Sequence, residues 1–115
     1  MICFGGPDMN ASATPKVEAM NTVDLASYPG STYIFFEFIA YVANAGSNGV
    51  VQLWDITASA QVFATNVVNA VPTLSSTDIT AMWPGDGHMY EVRFWITAPG
   101  PTDAVYLASA QLVIQ

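Results

Sequence analysis

Thr32-Tyr33-Ile34-Phe35-Phe36-Glu37-Phe38-Ile39-Ala40-Tyr41-Val42-Ala43 is the stretch that decides the architecture. It is rich in aromatic and β-branched side chains and has no turn residue, which makes it a strand rather than a helix. Side chains alternate between the two sides of a strand. One side then carries Ile34, Phe36, Phe38, Ala40 and Val42, uncharged throughout and therefore assigned to the core. The other carries Tyr33, Phe35, Glu37, Ile39 and Tyr41. A strand with one side in water would be polar there, so this second side is expected to be covered as well.

Working outward, further strand-like runs are bounded by turn residues: 22–26, 49–56, 60–65, 76–82, 89–97 and 104–114. Asn48-Gly49 suits a tight hairpin, while Pro84-Gly85-Asp86-Gly87 and Pro99-Gly100-Pro101 break strands decisively. Pro29, Pro72, Pro84, Pro99 and Pro101 all fall between the runs, where a missing N–H costs no ladder hydrogen bond. No segment has a convincing helical period. Six to eight strands in one short chain predict an all-β fold, an antiparallel β-sandwich or jelly roll, over residues 23–115. In the 89–97 strand Tyr90, Val92, Phe94 and Ile96 read as inward, with Met89, Glu91, Arg93, Trp95 and Thr97 outward. The last strand reads as Tyr106, Ala108, Ala110, Leu112 and Ile114 on one side, against Val105, Leu107 and Val113 on the other.

Residues 1–22 show no sustained period and contain Gly5-Gly6-Pro7 and Thr14-Pro15, so they read as an extended N-terminal arm. Ile2, Phe4, Met9 and Val17 would gain by lying in a groove of a neighbouring subunit. Asn10-Ala11-Ser12 matches a glycosylation sequon but is too short a pattern to carry weight. Cys3 is the single thiol, which excludes an internal disulfide. The opening residues have neither the basic start nor the apolar run of a secretory signal.

The 115 residues suit one domain, and only 10% are charged, well below the usual quarter or so. A net charge of -7, with Lys16 and Arg93 the only bases, gives no basic stripe for a phosphate backbone or an anionic membrane surface. Neither nucleic acid nor membrane is an expected partner. Excess apolar surface points instead to self-association or docking.

Catalytic chemistry is not expected. His88 is the only histidine and Cys3 lies far from it in sequence, so neither a nucleophile dyad nor a zinc site can be assembled from the usual ligands. Asp55, Asp78, Asp86 and Asp103 fall near turns and could supply oxygen to calcium, but no EF-hand spacing is present, and single aspartates at turns ordinarily bond their own backbone. No catalytic residue, metal ligand or cofactor is therefore predicted. The residues expected at an interface are Ile2, Phe4, Met9, Val17, Tyr33, Phe35, Ile39, Tyr41, Arg93 and Trp95. An outward Arg93 beside Trp95 can be a protein hot spot or a sugar platform, or Arg93 can simply pair with Glu37 or Glu91.

Tyr90-Glu91-Val92-Arg93-Phe94-Trp95 and Leu107-Ala108-Ser109-Ala110-Gln111-Leu112-Val113-Ile114, behind an apolar N-terminal segment, resemble the small β-sandwich decoration, or cement, proteins of tailed-phage capsids. The resemblance is one of architecture and composition over most of the chain. It implies a non-enzymatic homotrimer on the capsid surface of a virion, clamping the major capsid protein with help from its arm. Two other functions fit the residues: a carbohydrate-binding or adhesive sandwich stacking sugars on Trp54, Trp83 or Trp95, and a filament subunit whose arm completes a neighbour's sheet.

Overall fold

A computed structural model describes residues 1–31, 33–85, 87–97 and 99–115. Its elements are β1 (Ile2–Gly5), β2 (Asp8–Asn10), β3 (Lys16–Val23), β4 (Ile34–Val42), β5 (Asn48–Asp55), β6 (Ala60–Val67), β7 (Thr73–Asp78), β8 (His88–Thr97) and β9 (Val105–Ile114), with short 3-10 turns at Leu25–Ser27 and Thr80–Met82. One sheet runs β1-β9-β4-β7, with β2 also pairing β9; the other runs β3-β8-β5-β6. Every pairing is antiparallel. With β1 and β2 counted as one interrupted strand, eight strands in this order form a jelly-roll sandwich.

The alternation expected of 33–43 is present. Ile34, Phe36, Phe38, Ala40 and Val42 are buried in β4 while Phe35, Glu37, Ile39 and Tyr41 face outward and are half-buried. Tyr90, Val92, Phe94 and Ile96 of β8 meet them from the opposite sheet. At Gly49 the opposite sheet is close: a Cβ would stand 2.8 Å from Val105 Cγ2, so this position admits no side chain without displacement.

Residues 1–22 are not an extended arm. β1 and β2 form an edge of the first sheet against β9, and β3 is the edge of the second against β8. Phe4 is 0% exposed, in the core with Val23. The physical reason is edge completion: β9 and β8 would otherwise present open ladders, and Phe4 fills interior volume. Asn10 holds the crossover between sheets. Its Nδ2 donates to the carbonyls of Thr14 and Phe94 at 2.9 Å each, and its Oδ1 accepts from Ser12 N at 3.0 Å. Buried in this way, Asn10 is no glycan acceptor.

Other boundaries shift less. The 22–26 run is the end of β3 plus a 3-10 turn capped by Asp24. The 76–82 run begins later than β7 and ends in the second 3-10 turn. The start expected at Thr32 lies outside the described residues.

The last strand departs most from simple alternation. Ile39 pairs Ser109 and Ala40 pairs Leu107, so Ala108 is an extra residue in β9. This bulge switches the phase of the strand: Val105 and Leu107 point inward before it, Ala110 and Leu112 inward after it. Tyr106 therefore does not share a side with Ala110 and Leu112.

Candidate functional site

The outer side of the β3-β8-β5-β6 sheet has an organised set of polar and aromatic groups. Register brings Arg93 of β8 opposite Gln52 of β5, Trp54 opposite Glu91, and Trp95 opposite Val50. On β6, Gln61 lies opposite Trp54 and Ala64 opposite Gln52. Val17 and Met20 of β3 flank Arg93 and Glu91.

Arg93 is the centre of this face. Its Nε donates to Glu91 Oε1 at 2.6 Å, and its guanidinium carbon sits 4.2 Å from the centroid of the Trp54 ring. A guanidinium held against an aromatic face and by a carboxylate is fixed in orientation and keeps further N–H donors. Glu91 is nearly closed off, with 8% of its side chain exposed against 28% for Arg93, so the pair is anchored below and open above. Beside it Gln52 Nε2 donates to Gln61 Oε1 at 2.9 Å, which fixes both amides. Trp95, half-buried, lies two residues along β8, about 7 Å away at the ordinary strand rise. The face thus offers apolar ring surface next to fixed, planar donors and acceptors. Its one basic and one acidic group compensate each other.

The expected interface residues do not form one patch. Phe4 is in the core and Ile2 packs against it, because both point inward from β1. Phe4 is therefore not available to a partner, and Ile2 is only partly exposed. Met9, Tyr33, Phe35, Ile39 and Tyr41 lie on the outer side of the first sheet, whereas Val17, Arg93 and Trp95 lie on the outer side of the second. Arg93 pairs with Glu91; Glu37 is instead hydrogen-bonded by Ser76 Oγ at 2.7 Å and Gln111 Nε2 at 3.0 Å. Of the three tryptophans considered as platforms, Trp83 is removed. It packs on the core and stacks on buried Tyr90 with centroids 4.6 Å apart. Gln52 and Gln61 were not singled out from sequence. Their one signal is register: each faces an aromatic or cationic neighbour across the sheet.

The described aspartates at strand ends and turns are engaged by protein groups, some adjacent in sequence and some distant. Asp55 accepts from Ala58 N at 3.0 Å and meets His88 Nδ1 at 2.7 Å; Asp78 accepts from Thr80 N and Oγ1. Bonds from Ser47 Oγ, Gly100 N and Asn44 Nδ2 hold the Asp103 carboxyl below its ordinary range. Asp86 lies outside the described residues.

No family model matches the chain, and no curated protein matches it. Among solved structures, the sandwich is similar to a carbohydrate-binding module CBM36 in complex with calcium and xylotriose: TM-score 0.60, 15% identity, 97% of this chain and 93% of the other covered. It is also similar to the CBM36-1 domain of a multidomain xylanase from the hindgut metagenome of Trinervitermes trinervoides, at TM-score 0.57 and 11% identity, over 96% of this chain and 73% of that one. These likenesses establish the jelly-roll fold. Among the described residues no three His, Cys, Asp or Glu side chains are grouped to hold an ion, and the Asp103 oxygens accept protein hydrogen bonds.

Proposed function

We propose that this chain is a non-catalytic carbohydrate-binding module whose ligand, a neutral polysaccharide, lies across the outer side of the β3-β8-β5-β6 sheet. The observation that carries the reading is the Glu91–Arg93–Trp54 array, flanked by Trp95 and the Gln52–Gln61 pair. A sugar ring has C–H faces and a rim of hydroxyls. Trp95 takes the first by stacking, and Arg93 with the two glutamines bonds the second. The array carries no net charge, which favours a neutral over an anionic chain. The xylotriose named with one structural relative makes xylo-oligosaccharides the first ligands to try.

Filament growth and capsid decoration both use residues 1–22 as a free gripping segment, and with β1, β2 and β3 built into the sandwich that segment does not support them; capsid decoration keeps only the outer face around Phe35, Ile39 and Tyr41.

The test is isothermal titration with xylohexaose, cellohexaose and mannohexaose. Trp95→Ala is expected to weaken binding at least about 30-fold, as loss of an aromatic hot spot does. Arg93→Lys keeps the charge and loses the planar stack on Trp54, and is expected to weaken binding. Binding that is indifferent to both variants would exclude this face.

A further inference from the structure

A groove of about 270 Å³ opens on the other sheet, lined by Pro7, Asp8, Met9, Tyr41, Tyr106 and their β9 neighbours. Tyr41 and Tyr106 are cross-strand partners whose rings lie 4.8 Å apart and 9° from parallel. Met9 continues the row from β2. From this geometry we infer that the groove is a second saccharide site, one that takes a single neutral pyranose ring, so that the domain can hold two sugar chains, one on each sheet. The inference rests on the carbohydrate-binding reading above.

Three features show that the groove is built rather than incidental. The Ala108 bulge is what turns Tyr106 outward; with unbroken alternation from Ala110 and Leu112, Tyr106 would point into the core. Bulges commonly re-aim a side chain in this way beside functional sites. Secondly, the break between β1 and β2 lies across from the bulge, and the Gly6 backbone approaches so closely that a Cβ there would stand 2.5 Å from the Ala108 carbonyl oxygen. Only glycine brings Pro7 onto this wall. Thirdly, the wall is tied down: Asp8 Oδ1 accepts from Met9 N and from Lys16 Nζ, both at 2.8 Å.

Chemistry and size select the occupant. Pro7, Met9 and the tyrosine rings offer apolar surface for C–H faces, and the two phenol hydroxyls can donate to and accept from ring hydroxyls. Asp8 at the edge disfavours an anionic ligand, since the nearest base, Lys16, is already engaged by it. Sites for drug-sized ligands begin near about 300 Å³, so this volume suits one ring of a sugar chain, with the neighbouring rings left outside the groove.

The full chain is titrated with xylohexaose, cellohexaose and mannohexaose, and mixed with soluble xylan, cellulose derivative and mannan while sedimentation and light scattering follow cross-linking. Met9→Arg blocks the groove from an exposed position, and Tyr106→Ala removes one ring. The expected result is two sites in the parent, one remaining in each groove variant and one in Trp95→Ala. Cross-linked complexes should form only with the parent. One site in the parent, abolished by Trp95→Ala and untouched by Met9→Arg, overturns this inference and leaves the first site standing. No binding to any of the three sugars overturns both. If the groove variants turn an oligomer into a monomer while sugar stoichiometry stays fixed, the groove is a contact between copies and the inference fails.

Discussion

Replacing Phe4 with alanine discriminates sharply between an N-terminal segment that is an accessory and one that is structure. Phe4 has no exposed surface and lies in the continuous core with Val23, Phe36 and Leu112. Truncating a buried phenylalanine costs about 3 to 5 kcal/mol, from lost transfer energy plus the cavity left behind. Small domains have about 5 to 15 kcal/mol in total. With a urea dependence of about 2 kcal/mol/M, the unfolding midpoint should fall by roughly 2 M. The assay is equilibrium urea unfolding followed by tryptophan fluorescence, with Val17→Ala as the comparison. Val17 belongs to the same stretch but is 47% exposed on the outer face, and should change stability by no more than about 0.5 kcal/mol. A Phe4→Ala midpoint within error of the parent would show that β1 is dispensable and that residues 1–22 act as an arm after all.

Burial, then the hydrogen bond and charge of Asp8, push the Glu18 carboxyl up to about 7, so the folded chain retains a proton that the unfolded chain gives up near 4.5. The stability linked to Glu18 is therefore fully present below pH 4.5 or so and is lost as pH rises through about 7; melting followed from pH 4.5 to 8 should show the midpoint fall, and Glu18→Gln should flatten the curve. Asp8, drawn down to about 2 by hydrogen bonds from Glu18 and Lys16, acts in a separate window below its ordinary value of 3.8, where its contribution is lost as pH falls. Gly49→Ala should destabilise by about 1 to 3 kcal/mol, because Val105 must move to admit the methyl group, and chemical denaturation measures the difference. Binding of xylohexaose should survive EDTA, since Arg93, Trp95, Gln52 and Gln61 need no ion; loss of affinity that calcium restores would place the ligand at a loop instead of on the sheet.

How legible each strand was depended on how many of its sides meet the core. β4 announces itself as a nearly unbroken aromatic and β-branched run and β8 by large apolar residues at period two, and the prolines beyond them fall in gaps. β3 does the opposite: Lys16-Val17-Glu18-Ala19-Met20-Asn21-Thr22-Val23 buries only Val23 fully, as an edge strand can, and so resembles a polar linker. β1 and β2 are four and three residues long and separated by Gly6-Pro7, too short for any period to show. β7 escapes in part for the same reason, since Thr73-Leu74-Ser75-Ser76-Thr77-Asp78 is an exposed edge held by its ladder to β4. Pairing with a distant strand, which local pattern does not encode, is what gives these segments their structure.

The two candidate sites divide along the same line. Arg93 and Trp95 were visible because an outward arginine and tryptophan on a strongly alternating strand are anomalous wherever they occur. Glu91 emerged as the partner of Arg93 because residues two apart share a side. Gln52 and Gln61 acquire meaning only through register, since along their own strands nothing marks them as a pair, one being buried and the other exposed. Tyr106 is the extreme case. Strict alternation sends it to the core side with Ala110 and Leu112, and a single extra residue at Ala108, accommodated against Gly6, sends it to the surface beside Tyr41. The coupling has a consequence for variation. Losing either Gly6 or the bulge should dismantle the tyrosine groove while leaving the Arg93 face on the other sheet unchanged, so the two surfaces can be lost independently.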